Sequence, residues 1–228
     1  MPGNFKNFIQ GRIRASLFST KGRIIVASTG RSGSTLLYDA IVNSYLRKNR
    51  FTKSLHLGNY YIKKILSGYI ADASEISRLS PLIAKTHSFY SMGCECNNRI
   101  VFIFGNALES AISVSYMCKI NGNSWGQQHL KHLSSEKNLD DLFMKDILNY
   151  EAILKSWMSV PGVFLIHYDD LWRFSAQLSK FIGFKVDLPV RKSRADKEFP
   201  AILNKDLFER LQAVEDRARQ LSILSHGS

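Results

Sequence analysis

Apolar and polar residues follow one another along the chain in blocks whose lengths fit buried strands and amphipathic helices. Short apolar runs rich in β-branched and aromatic residues predict strands at residues 23–28, 82–87, 99–104 and 163–168. Apolar residues at helical spacing predict helices that end near residues 50, 70, 119, 158, 183 and 221. The helix before residue 158 is expected to start at residue 140, and the Asn- and Gly-rich residues 121–126 predict a loop.

This alternation of strands and helices predicts one α/β domain. Short apolar strands separated by helices are typical of a parallel sheet with helices on both faces, which gives three layers. Residues 23–228 are expected to form this domain, and residues 1–22 a basic amino-terminal extension. Ligands of such sheets bind beyond the carboxyl ends of the strands, so the residues that follow each strand are the candidate site.

Composition narrows the partners and the compartment. There are 31 Lys and Arg against 19 Asp and Glu, a net charge of +12, which favours anionic ligands. The cysteines Cys94, Cys96 and Cys118 form no disulfide framework, which indicates a reducing, cytoplasmic location. No apolar run is long enough for a membrane span, although contact of the basic amino-terminal segment with a membrane surface stays open.

The segment after the first strand predicts an anion site. Residues 28–35 read Ser-Thr-Gly-Arg-Ser-Gly-Ser-Thr, with Arg31 as the one bulky side chain, and an amphipathic helix follows. A sharp turn from strand to helix aims several backbone N–H groups at one point, where the helix dipole adds partial positive charge. The candidate anion-binding residues are Thr29, Gly30, Arg31, Ser32, Gly33, Ser34 and Thr35.

The spacing differs from that of an ATP-binding Walker A loop. If Gly33 is the second glycine of that motif, its lysine position holds Ser34 and its first glycine position holds Ser28. The run Arg31-Ser32-Gly33-Ser34-Thr35 instead resembles the 5′-phosphosulfate loop of the sulfotransferases. The resemblance implies a P-loop NTPase-like topology, 3′-phosphoadenosine 5′-phosphosulfate as the sulfuryl donor, and no metal.

The resemblance extends to the second predicted strand. Lys85-Thr86-His87 is similar to the Lys-Thr-His of cytosolic-type sulfotransferases, in which the histidine is the general base and the lysine contacts the sulfuryl or phosphate oxygens. Side chains alternate along a strand, so Lys85 and His87 project to the same side. The implied catalytic residues are therefore His87, Lys85 and Arg31, with Arg31 stabilising the leaving group.

Residues 103–116 resemble the second cofactor motif of that family, with one serious departure. The matching positions are Asn106 and Ser113, but Gly105 occupies the place of an arginine that binds the 3′-phosphate. The basic cluster Arg191, Lys192 and Arg194 is the expected substitute. Tyr168 matches an aromatic residue that lies beside the adenine in relatives.

Function stays open at two points. The acceptor is expected to be a hydroxyl or amine of a glycan, lipid or small molecule, with the positive charge favouring an acidic one, rather than a nucleic acid. A Mg²⁺-dependent P-loop kinase of small molecules and a non-catalytic anion- or glycan-binding module on the same fold are the alternatives. His129 and His132 are interpreted as surface residues, and Trp125 either lines the acceptor pocket or packs on the domain.

Overall fold

The computed structural model describes residues 22–48, 59–75, 80–94, 97–191 and 199–226, so the predicted extension at residues 1–22 lies almost wholly outside the described part. The strands are β1 (Ile24–Ser28), β2 (Ser67–Tyr69), β3 (Ile83–Thr86), β4 (Arg99–Phe104) and β5 (Phe164–His167). The helices are α1 (Ser34–Lys48), α2 (Asn59–Leu66), α3 (Ala107–Asn121), α4 (Asn123–His132), α5 (Tyr150–Met158), α6 (Ser175–Ile182) and α7 (Lys205–His226).

The five strands form one parallel sheet in the order β2-β3-β1-β4-β5. The central strand β1 pairs with β3 on one side and with β4 on the other, so the chain reverses its direction of winding beside β1. At such a switch point the loops after neighbouring strands diverge and leave a crevice at the carboxyl edge of the sheet. This arrangement confirms the predicted parallel α/β fold and places the loop after β1 at the centre of that edge.

Side chains on the two faces of the sheet enter two separate cores. Ile25 and Phe102 pack with residues of α3, α4, α5 and α7, whereas Val26 and Val101 pack with residues of α1, α2 and α6. Their successive positions on β1 and β4 point to opposite faces, as strand geometry requires. The result is the predicted three-layer arrangement, in which β1 is buried along its whole length.

The helix predicted to reach residue 70 is wrong at its carboxyl end. The chain leaves the helical conformation after Leu66 and forms β2, in which Gly68 pairs with Ala84 of β3. A Cβ on Gly68 would lie 2.8 Å from the Pro81 ring, so this edge strand approaches its neighbour too closely for a larger residue. Pairing with β3 therefore overrides the local helical pattern.

Two predictions between residues 120 and 158 are also wrong. The predicted loop at 121–126 is mostly helical, because Gly122, at a φ of 84°, ends α3 and the chain enters α4 at once. Of the predicted long helix at 140–158, only the part from Tyr150 is α-helical, and a 3₁₀ turn at Leu139–Asp141 lies before it. The Asp146 carboxylate accepts hydrogen bonds from the backbone N–H groups of Tyr150 and Glu151 at 2.8 and 3.0 Å. Asp146 thereby starts a new helix instead of continuing an earlier one.

Candidate functional site

A cavity of about 780 Å³ opens at the carboxyl edge of the sheet, above the end of β1. Its walls come from the loops that follow β1, β3, β4 and β5, and from α3 and α4. The predicted site residues that line it are Arg31, Ser32, Gly33, Ser34, Thr35, Lys85, His87, Asn106, Ser113 and Tyr168. The structure therefore brings most of the separate sequence motifs together in one place.

The anion loop, defined as residues 29–35, has the conformation of a cradle. Gly30, Arg31 and Gly33 have φ angles of 80°, 48° and 83°, all in the left-handed region. Left-handed residues within a turn direct successive N–H groups toward one concave side. The first turn of α1 follows directly, and its N–H groups have no partner within the helix.

Part of the anion loop faces the protein interior instead of the cavity. The Ser32 hydroxyl donates to the Ile103 carbonyl at 3.1 Å, and the Gly30 N–H donates to Ser28 Oγ at 3.4 Å. Thr29 is fully buried, and its Oγ1 has no hydrogen-bond partner among the described residues. Ser34 is buried at the start of α1. These contacts anchor the loop to the protein interior and hold its backbone toward the cavity.

Lys85 lies beside the start of α1. Its ammonium donates to Thr35 Oγ1 at 2.7 Å, so β3 and the anion loop meet at this pair. Burial, together with the nearby Arg31 guanidinium, lowers the pKa of Lys85 to about 8, while Asp39 opposes the shift. A lysine that titrates near neutral pH in this way binds its proton more tightly once an anion neutralises the surroundings.

His87 lies against the end of β1 and is only 6% exposed. Its Nδ1 lies 2.8 Å from Ser28 Oγ and 3.4 Å from the Ser28 carbonyl oxygen. A contact with a carbonyl requires a proton on Nδ1, so this geometry favours the tautomer whose lone pair is on Nε2. Burial, followed by the Lys85 and His129 charges, lowers the pKa of His87 to about 3, which leaves the ring neutral at pH 7.

Arg31 connects the anion loop to α3. Its Nε donates to Ser113 Oγ at 3.0 Å, and its guanidinium lies 5.8 Å from the centre of the Trp125 ring. Burial lowers the pKa of Arg31, although its ordinary value is high enough to keep the group charged. Arg31 and Ser113, which come from two different sequence motifs, therefore form one polar unit in the cavity wall.

Helices α5 and α7 hold the turn between β4 and α3 in place. Asn106 accepts from the Glu109 N–H at 3.0 Å as the cap of α3, and donates to Gln212 Oε1 at 2.6 Å. The Tyr150 hydroxyl donates to the Gly105 carbonyl at 2.6 Å. The buried Glu215 carboxylate accepts from the Ala107 N–H at 3.3 Å and lies 3.1 Å from His167 Nε2. Sequence reasoning did not find Tyr150 or Glu215, because their roles depend on distant packing.

Tyr168 packs against the anion loop from the β5 side. A Cβ on Gly33 would lie 2.2 Å from the Tyr168 ring, so the ring fits only because residue 33 is glycine.

Arg191 is not among the described residues that line the cavity. Its guanidinium pairs with Asp169 at 2.9 Å and lies 5.5 Å from the centre of the Trp172 ring. Lys192 and Arg194 lie outside the described residues.

One wall of the cavity corrects the sequence interpretation. His129 and His132, interpreted as surface residues, line the cavity together with Trp125 on α4. The spacing of four residues from Trp125 to His129 and of three from His129 to His132 places them on one helix face, and this spacing was the sequence signal that could have identified them.

Within the described ranges, no group of three His, Cys, Asp or Glu residues is arranged to hold a metal ion. No helix in those ranges is both long and apolar enough to cross a bilayer.

The affinity of the cavity for sulfate is expected to fall as the pH rises through about 8, because Lys85 loses its proton there. The bound anion raises the pKa of Lys85, so binding takes up a proton near this pH and weakens by up to roughly tenfold per pH unit above it. Calorimetric titration across this range measures the effect. Lys85→Met should remove the pH dependence, whereas the exposed Lys155→Met should preserve it; an unchanged profile in Lys85→Met contradicts the assignment.

The fold and the cavity define an α/β protein that has an anion cradle after its central strand, two nearby cations and a buried imidazole. Comparison with family models and with curated protein sequences gives no match. Among solved structures the chain is similar to a sulfotransferase from Alicyclobacillus acidocaldarius, at 12% identity over 91% of this chain and 96% of that chain, with a TM-score of 0.42.

Two further solved structures are similar to this chain. One is a mouse sulfotransferase complexed with PAP, at 12% identity over 92% of this chain and 69% of that chain, with a TM-score of 0.41. The other is retinol dehydratase in complex with retinol and PAP, at 14% identity over 92% and 70%, with a TM-score of 0.43. At this level of similarity the roles of individual residues rest on the geometry of the cavity.

Proposed function

We propose that this protein is a sulfotransferase that moves a sulfuryl group from 3′-phosphoadenosine 5′-phosphosulfate to a hydroxyl of an acceptor. The observation that carries the proposal is the convergence of the anion loop, Arg31, Lys85 and His87 on one cavity. Left-handed backbone at Gly30, Arg31 and Gly33 supplies the cradle that a phosphosulfate requires. The donor supplies an activated sulfuryl group, and the protein supplies position, charge and a base.

The residues divide the work of the reaction between them. The acceptor oxygen forms a bond to sulfur while the bond from sulfur to the phosphate oxygen breaks, and the hydroxyl proton moves to Nε2 of His87. The contact of Nδ1 with the Ser28 carbonyl leaves the lone pair on Nε2, and the negative charges of a bound donor raise the low pKa of His87 toward the range in which a base works. Lys85 and the N–H groups at the start of α1 stabilise the negative charge that develops on the leaving phosphate. The product of the donor is adenosine 3′,5′-bisphosphate.

In place of the leaving-group role that the sequence suggests for Arg31, we assign to it the role of the arginine missing at position 105. Ser113 belongs to the motif whose arginine binds the 3′-phosphate in relatives, and the cation hydrogen-bonded to Ser113 is Arg31, at 3.0 Å. Arg191, the alternative from sequence, is engaged with Asp169 and Trp172. The donor is therefore expected to be held at its 3′-phosphate by the Arg31–Ser113 pair, with Tyr168 beside the adenine.

The contact between Lys85 and Thr35 favours sulfuryl transfer over the kinase alternative. In a P-loop kinase the hydroxyl at the position of Thr35 binds Mg²⁺. Here that hydroxyl accepts a hydrogen bond from the Lys85 ammonium at 2.7 Å, and a cation beside it opposes the approach of a second one. The Walker lysine position is Ser34, so the charge that a kinase places on the loop comes instead from Arg31 and from β3.

Calorimetry with adenosine 3′,5′-bisphosphate tests the proposal. We expect micromolar binding without metal, and binding at least about tenfold weaker for adenosine 5′-phosphate, which lacks the charge-assisted contacts of the 3′-phosphate. Arg31→Gln should remove this difference between the two nucleotides. Binding of MgATP in preference to the bisphosphate would instead support the kinase, and no binding of either would support the non-catalytic module.

A further inference from the structure

The cavity contains a second buried imidazole that the proposed reaction does not use. His129 of α4 lines the cavity, and the centres of the His129 and His87 rings are 6.1 Å apart. A Cβ on Gly30 would lie 3.4 Å from His129 Nε2, so this ring also lies against the anion loop. Two imidazoles therefore stand at the end of the cavity where transfer takes place.

His129 is fixed in position, but its Nε2 has no hydrogen-bond partner among the described residues. Its ring stacks on Trp125, with centroids 5.1 Å apart and planes inclined by 10°. The residue is 8% exposed, and this nitrogen is buried. A buried polar atom without a partner destabilises a fold by about 1–3 kcal/mol, so such atoms generally pair with water or a ligand.

The electrostatic environment selects the kind of ligand that His129 can bind. Burial lowers the pKa of His129 to about 4, with further contributions from Arg31, His132 and Lys85, so the ring is neutral at pH 7. A neutral imidazole offers one donor and one acceptor but no charge. In the proposed reaction both cations of this wall serve the donor, Arg31 at its 3′-phosphate and Lys85 at its leaving phosphate, so the neutral imidazole is the group left to the acceptor. This end of the cavity thus suits a hydroxyl better than an acidic group.

We propose that His129 binds a second hydroxyl of the acceptor, next to the hydroxyl that His87 deprotonates; the inference rests on the proposed function. Because the ring centres are 6.1 Å apart, oxygens on neighbouring carbons of an acceptor that lies to one side of both rings can each form a hydrogen bond of about 2.8 Å to one ring. The acceptor class is then a neutral vicinal diol, such as a sugar or a cyclic polyol. The exposed ring of Tyr69, which also lines the cavity, suits the carbon face of such a ring.

The experiment compares matched acceptors. Transfer of labelled sulfuryl is measured to cis-1,2-cyclohexanediol, to its monomethyl ether and to cyclohexanol, with wild-type protein and with His129→Phe. Phenylalanine keeps a flat ring on Trp125 and removes both nitrogens. We expect the wild type to favour the diol over cyclohexanol by about 10–100-fold in kcat/KM, since a buried polar group left unpaired is what discriminates between such substrates. In His129→Phe this ratio should fall to about 1, by the same reasoning.

The control is Lys131→Gln, an exposed position on the same helix, which should keep the wild-type ratio. The ether retains one reactive hydroxyl without the second O–H, so its rate tells whether His129 accepts or donates. Equal wild-type rates for diol and cyclohexanol, a preserved ratio in His129→Phe, or donor binding without transfer to any of the three would overturn the inference. Because the wild-type ratio needs no variant, misfolding of His129→Phe leaves the test intact. Failure to bind adenosine 3′,5′-bisphosphate would instead overturn the proposed function.

Discussion

Replacing His87 by alanine is expected to lower kcat by about 10²–10⁴-fold, because the acceptor hydroxyl then loses the group that takes its proton. Binding of adenosine 3′,5′-bisphosphate should change little, since the anion loop, Arg31 and Lys85 remain. Sulfuryl-transfer kinetics and calorimetry on the same preparation measure the two quantities. A drop in turnover together with intact nucleotide binding separates a chemical role of the imidazole from a structural one.

The matched control for this experiment is Ser28→Ala. Ser28 Oγ lies 2.8 Å from His87 Nδ1, so its removal weakens the orientation of the ring without removing the base. We expect a smaller decrease in kcat than in His87→Ala, and only a small loss of nucleotide affinity, because the Gly30 N–H bond to Ser28 Oγ is long, at 3.4 Å. Turnover of His87→Ala within about threefold of wild type would exclude the imidazole as the base, since general-base catalysis contributes far more than that.

Replacing Gly33 by alanine is expected to damage both the fold and the anion cradle. The residue has a φ of 83°, and an added Cβ would lie 2.2 Å from the Tyr168 ring. Left-handed backbone costs about 1–2 kcal/mol for a residue with a Cβ, and overpacking adds about 1–3 kcal/mol. Denaturant unfolding should show a loss in this combined range. The affinity for adenosine 3′,5′-bisphosphate should fall by roughly 100-fold, because positioning of the loop N–H groups is lost.

Gly162→Ala is the control for the backbone term. Gly162 has a φ of 77°, and nothing lies within 4 Å of the position of its Cβ. The free energy of unfolding of this variant should therefore fall only by the cost of left-handed backbone, and its nucleotide binding should stay normal. Equal losses of stability in the two variants would mean that the Tyr168 ring moves aside freely. In that case Tyr168 would not define the shape of the cradle.

The strands could be predicted because each is a short apolar run buried on both faces. The predicted strand at 99–104 coincides with β4, and the run at 82–87 contains β3. Both pair with the central strand β1, where local pattern and tertiary environment agree. The edge strand β2 was missed because it contains only Ser67, Gly68 and Tyr69, a sequence that acquires its strand conformation from pairing with β3.

The helical errors have a different cause. The Asp146 side chain competes for backbone N–H groups and divides the segment at 140–158, an effect that apolar periodicity does not report. The site could be predicted where its residues depend on the ends of strands.

Loop residues that come directly after strands line the cavity, as the sequence suggests, whereas His129 and Trp125 reach it through the packing of α4. Their contribution depends on where that helix sits, which sequence pattern alone does not fix.

Helix α7 contributes Gln212 and Glu215 to the turn at Asn106, and its Ser222 hydroxyl donates to the Leu165 carbonyl of β5 at 2.7 Å. Through these contacts α7, the last described helix, supports both the turn after β4 and the strand β5 at the cavity. Coupling of this kind is reciprocal, so a nucleotide that stabilises the turn also stabilises the packing of α7 against it. Amide exchange in α7 is therefore expected to slow when a nucleotide binds, although the helix lies away from the bound molecule.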